Sequence, residues 1–158
     1  MAQDGIPPVD TTTLLEAYLA ADYRAQVEGA SLPLRVGEPA PALDAAVPAA
    51  PGAAAAWTVV TAWNPQSRPQ GARANATADA ALHAWLRARG LRAWPAVGGS
   101  VDAQWEEHGW LVAGLEAATA DALARRHDQA GLGRHRPGPR VLATRAPPGE
   151  AIGQIFEL

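Results

Sequence analysis

No cysteine occurs in the chain, which excludes disulfides, thiolate metal sites and a cysteine nucleophile. No apolar run approaches the roughly 20 residues that a membrane span needs. Met1 to Asp10 has no basic stretch leading into an apolar core, so a signal peptide is not expected. Charge is scarce, at 18% of residues, and a net charge of -3 leaves no basic footprint for nucleic acid. His83, His108, His127 and His135 lack the His-x-His or His-x-x-x-His spacing of a metal site. Nucleophile elbow, P-loop and dinucleotide fingerprint are all missing; Gly98-Gly99-Ser100 is too short a signal. These absences leave the cofactor undetermined. The expectation from these absences is a cytoplasmic protein.

What is present suits a globular fold. Hydrophobic residues make up 48% of 158, one domain's worth of chain. The central feature is Ala56 to Pro65, an apolar, β-branched and aromatic run that stops at Asn64-Pro65, as a buried strand ends in a turn. Before it, Thr11-Thr12-Thr13 and the spacing of Leu14, Leu15, Tyr18, Leu19 and Tyr23 predict a helix over Thr12 to Val27, ended near Gly29. Leu32 to Val36 reads as an edge strand because of Pro33, and residues 37–52 as a connector with one helical turn near Leu43.

After it, Asn75 precedes an apolar helical period through Leu82 and Leu86, closed by Arg87, Arg89 and Gly90. Leu91 to Val97 is a second strand, placed at an edge by Pro95. Gly109 to Leu115 is a third, central strand, and Thr119 opens a second helix ending near Asp128-Gln129. Ala130 to His135 and Arg140 to Thr144 read as two further strands around the Arg136-Pro137-Gly138-Pro139 turn, and residues 147–158 as a docking tail.

From Trp57 the order is strand, helix, strand, strand, helix, strand. That is the α+β, ferredoxin-like split βαβ pattern: an antiparallel sheet with two helices on one face, here with an N-terminal helix and a C-terminal hairpin and tail added. The whole chain, 1–158, is expected to be a single domain, with 1–10 a disordered tail, 11–52 the helix and connector, 53–145 the core and 146–158 the tail.

The expected 4-1-3-2 strand order gathers Asn64, Ser67, Asn75, Gly98-Gly99, Glu106-Glu107 and Gln129 on one rim, a candidate pocket for a small polar ligand, a nucleotide or other anion. Glu107 is the candidate general base or cation ligand, and strand alternation sends at most one of Glu106 and Glu107 inward. Each residue also has a bland role: turn former for Asn64, N-cap or first-turn residue for Asn75, loop or cap for Ser67 and Gln129, solvated pair for the glutamates. His108 and His127 fall near the same rim. Trp57 and Trp63, six positions apart, share a strand face; most tryptophans are assigned to the core. The alternative function is an interaction module, homodimeric through a sheet face or edge.

Several of these strings together resemble a bacterial family without an assigned activity, domain of unknown function 3293. They are Thr61-Ala62-Trp63-Asn64-Pro65 with Ser67, Asn75 ahead of Leu82 and Leu86, Gly90, Gly98, Trp105-Glu106-Glu107, Leu111 to Leu115, and Arg125-Arg126 with Gln129. The chain departs from the family at His127-Asp128 and at His108-Gly109-Trp110. The resemblance implies a small, bacterial, cytosolic protein and supplies no catalytic residue.

Overall fold

The computed structural model describes residues 16–17, 19–35, 38–47, 57–65, 68–102, 104–127, 131–135, 142–145 and 154–155. In chain order the elements are β1 (Asp22–Val27), β2 (Ala30–Leu34), α1 (Pro41–Ala46), β3 (Trp57–Val60), α2 (Ala72–Ala88), β4 (Ala93–Gly99), β5 (Glu106–Ala113), α3 (Ala117–Arg126), β6 (Gly131–His135), β7 (Leu142–Arg145) and β8 (Gln154–Ile155). Residues 16, 17, 19 and 20 are helical as well. The strands form one sheet, β2-β1-β4-β5-β3-β6-β7-β8, in which every ladder is antiparallel. Its middle, β4-β5-β3-β6, has the strand order expected for the four strands that follow from Trp57.

The sheet buries both faces, because alternate residues of β3 and β5 feed two separate cores. Trp57, Leu111 and Ala113 join Trp94, Ala25, Val27, Leu34 and Leu43 of α1 on one face. Val60 and Val112 join Leu82 and Leu86 of α2, with Leu115, Ala120 and Leu123, on the other. Two longer helices therefore share one face. Burial at this scale contributes about 1.5–3 kcal/mol for each large apolar side chain.

Four expectations are corrected. The helix assigned to Thr12–Val27 gives way to a strand from Asp22. There Ala25 and Val27 are buried while Arg24 and Gln26 are exposed, a period of two rather than 3.6. Glu28 and Gly29 both take positive φ, 49° and 84°, and so form the two-residue hairpin turn into β2 rather than a helix end. Pro95 lies on an interior strand, not an edge. The β1 ladder stops at Ala96, one residue short of it, so the missing N–H interrupts no β1 pairing. The third strand starts at Glu106 rather than Gly109 and ends at Ala113. The central run is strand only from Trp57 to Val60, so Trp57 and Trp63 share no strand face; Trp57 and Trp94 are fully buried, and the other four tryptophans only partly. Ser67, Gln129 and most of the tail lie outside the described residues.

Gly109 is where β5 and the end of β3 come closest. A Cβ there would run into the Val60 carbonyl oxygen and stand 3.1 Å from Thr61 Cβ. Backbone cannot retreat as a flexible side chain can. Gly109→Ala should therefore destabilise the fold by about 2–3 kcal/mol in urea unfolding, the cost of overpacking.

Candidate functional site

The turn that ends β3 is braced by amides. Asn64 takes a left-handed conformation, φ 45°, immediately before Pro65. That region costs an ordinary side chain about 1–2 kcal/mol, and asparagine less than most. Three neighbours hold it there. The Asn64 backbone N–H donates to Asn75 Oδ1 at 3.0 Å, and Asn75 Nδ2 donates back to Asn64 Oδ1 at 3.0 Å. Gln70 adds its backbone N–H to Asn64 Oδ1 at 3.1 Å and its Nε2 to Asn75 Oδ1 at 2.9 Å. The remaining Asn64 Nδ2 donates to Glu107 Oε1 at 3.0 Å. A backbone donor on Oδ1 fixes which end of the Asn64 amide faces the carboxylate.

Of the two structural roles expected for Asn75, N-cap or first-turn residue, it takes the second. The helix starts at Ala72 with Gly71 as its cap, so Asn75 lies inside the first turns, 4% exposed, with its side chain turned to the Asn64 turn. Glu107 and Glu106 divide as alternation requires. Glu107 is half-buried against Asn64, whereas Glu106 is exposed and pairs with His108 Nε2 at 2.8 Å. Across the strand they face Gly98 and Gly99 of β4. The His108 ring lies 4.7 Å from that of Trp63, and its carbonyl accepts from Thr61 Oγ1 at 2.7 Å. His83 of α2 stacks on Trp110 at 3.8 Å, and the Trp110 indole donates to Asp79 at 3.0 Å.

Of the residues expected on the rim, Asn64, Asn75 and Glu107 thus meet directly, and Glu106 sits beside them facing solvent. Their hydrogen-bonding capacity is spent mostly on one another. The open space is next door, in a groove of about 960 Å³ lined by Ala62 and Pro65 of the turn, Gln70 and Gly71, one face of α2 (Arg73, Ala74, Thr77, Ala78, Ala81), and Arg126 and His127 at the end of α3. The sequence placed His127 near the adjoining rim. It missed Gln70, Arg73 and the groove-lining place of Arg126, which was noted only beside Arg125 in the family resemblance.

Electrostatics separates the network from the groove. Burial pushes the Glu107 carboxyl above its ordinary range, and the Asn64 hydrogen bond only partly offsets this. His127 is pushed the other way, chiefly by burial and also by the neighbouring Arg126 charge, so the imidazole is neutral near pH 7. Among the described residues, no group of His, Asp or Glu is arranged to hold a metal ion. No helix among them is long and apolar enough to cross a membrane.

Fold and site together define an α+β sheet protein whose central strand ends in an amide-braced turn beside an open groove. Residues 60–132 match the model of the family described as Protein of unknown function (DUF3293). No curated protein and no solved structure matches it.

Glu107 gives a signed prediction. A carboxyl whose folded pKa exceeds its unfolded one holds more protons folded. The stability it favours is therefore full below about pH 4.3 and falls as pH rises through the folded value. Glu107→Gln keeps an acceptor for Asn64 Nδ2 without the buried charge. It should raise the melting temperature at pH 7.5 and flatten its decline with pH. Glu107→Ala leaves that donor unmatched and should cost about 1–3 kcal/mol.

Proposed function

We propose that the groove binds a small anionic ligand, with the Asn64–Asn75–Glu107 network holding its wall in shape rather than touching the ligand. The observation that carries this reading is that Arg73 and Arg126, from two different helices, line one groove whose described lining contains no carboxylate. Neither guanidinium has an ion-pair partner among the described residues. On a chain of net charge -3 such a local excess of positive charge favours an anion. The apolar remainder, with Ala62, Pro65, Ala74, Ala78 and Ala81, suits a ligand with an uncharged body. Under this reading Asn64, Asn75 and Glu107 shape the rim without touching the ligand, while Ser67, Glu106 and Gln129 stay candidates for ligand contact.

The alternative, an interaction module docking through its sheet face, finds less support. Val101 is the one exposed large hydrophobic side chain among the described residues, and it sits in the β4–β5 loop. We also read the β3-α2-β4-β5-α3-β6 core as ferredoxin-like, the chain as a single domain, and its location as cytoplasmic. The strand order and the shared helix face support the first of these.

A thermal-shift panel tests the function. A ligand that binds only the folded form adds about 2.7 kcal/mol of stability at one hundred times its Kd. Phosphate, sulfate, citrate and nucleotides are to be compared with neutral analogues, on the native chain and on an Arg73→Gln/Arg126→Gln variant. Shifts by at least one anion that the variant abolishes are expected. Equal shifts in both proteins would reduce the effect to the general stabilisation that kosmotropic salts give any fold, and end the proposal.

A further inference from the structure

Size and shape narrow the ligand of the groove beyond its charge, provided that the groove is an anion site as proposed above. We infer that its occupant is a phosphate monoester carried on a flat, uncharged ring system, Arg73 and Arg126 holding the phosphate and the alanine face of α2 receiving the ring.

Size decides first. A space of about 960 Å³ lies at the upper end of small-molecule sites, and a free inorganic anion would leave most of it filled with water. The ligand must carry a body. Ala74, Ala78 and Ala81 recur at helical spacing along α2 and meet Ala62 and Pro65 across the groove. Small side chains and a proline ring make a broad, shallow, apolar surface, which a planar ring covers with little loss of rotamer freedom. Thr77 adds polarity at this face. Its hydroxyl donates to the Arg73 carbonyl at 2.9 Å and keeps acceptor capacity for a ring N–H or hydroxyl.

The charged end favours phosphate over carboxylate. Guanidinium forks match phosphate oxygens in pairs, and two forks from separate helices can engage three oxygens where a carboxylate offers only two. The third group, His127, faces Arg126 on its own helix and Arg73 from α2, with no described carboxylate in the lining to balance them. Burial and Arg126 keep it neutral in the free protein. A dianion beside it favours the imidazolium, and a phosphate monoester, with its second ionisation near pH 6, is a dianion at neutral pH. Binding then takes up a proton, which a monoanionic carboxylate has less power to induce.

Isothermal titration calorimetry at pH 7.5 separates the outcomes, with adenosine 5′-monophosphate, adenosine, inorganic phosphate and succinate as probes. The monophosphate should bind at least about tenfold more tightly than adenosine or phosphate alone, because each half loses the contacts of the other. Arg126→Gln should weaken the monophosphate about tenfold or more, the scale of one lost hydrogen bond to a charged group, and leave adenosine unchanged. Ala74→Leu, which fills the ring surface, should weaken the monophosphate and leave inorganic phosphate unchanged. Both positions are exposed on their helices, and unchanged melting curves verify that the variants fold. Succinate binding as tightly as the monophosphate, with the same dependence on Arg126, would overturn the phosphate ester and leave the anion groove standing. Absence of binding by every probe that carries charge would overturn both. A monophosphate affinity lowered as much by Arg24→Gln, remote on β1, as by Arg126→Gln would reduce the effect to net charge and overturn the assignment.

Discussion

The reciprocal amide pair between Asn64 and Asn75 is the contact on which the site depends. Each asparagine acts as donor and acceptor to the other, so the end of the central strand and the first turns of α2 are fixed as one unit. Without it the left-handed residue before Pro65 keeps only its bonds to Gln70 and Glu107 to offset its conformational cost, and the loop to Gly71 loses its tie to α2. Gln70 closes the loop onto the same pair, and Glu107 ties it to β5. Chain segments far apart in sequence thereby converge on one short turn. The groove wall follows from that, since Ala62, Pro65, Gln70 and Gly71 are all parts of the braced loop.

A division of labour results. The network spends its polarity internally and carries a carboxyl that burial makes reluctant to ionise. The groove keeps its polarity for solvent or a ligand, with two permanent cations and an imidazole held neutral. Polar groups satisfied by one another make a rigid support and a poor binding surface, because a ligand would have to displace hydrogen bonds already made. The adjoining unsatisfied charges make the better binding surface. On the proposed reading, the residues that looked most functional in the sequence are the scaffold, and Arg73 and Arg126 are the face.

Much of this was legible in the residues themselves. The long helix α2 and the shorter α3 announce themselves by apolar spacing, basic last turns and, for α2, the positive-φ Gly90 that follows it. Strand order followed from the succession of elements alone, and it brought Asn64, Asn75 and Glu107 to the same rim. The β1–β2 hairpin was missed because Tyr18, Leu19 and Tyr23 continue a helical spacing past the point where burial switches to a period of two. Gly29 served equally well as helix end or hairpin turn. Pro95 misled because the rule against proline in interior strands concerns a hydrogen bond, and here the neighbouring ladder stops one residue away. Arg73 had no motif to mark it and Arg126 only the Arg125-Arg126 string of the family resemblance; solvated arginines near helix ends are ordinary, and only the groove between them makes these two stand out.

The β1–β2 hairpin has a consequence for what counts as the unit. The family match runs from residue 60 to 132, yet β3 begins at Trp57, and the hairpin and α1 lie wholly before the matched segment. Those earlier residues supply Ala25, Val27, Leu34 and Leu43, the cover over Trp94 and Leu111, and β1 occupies the flank of β4 that would otherwise be an open strand edge. Tyr23 seals the join, its ring lying where Gly98 has no side chain, 2.5 Å from the site of a Cβ. The stretch that heredity marks out is thus narrower than the stretch that can keep its own interior dry. A chain cut at the limits of the match would keep the groove's described lining and lose half of what holds the sheet beneath it.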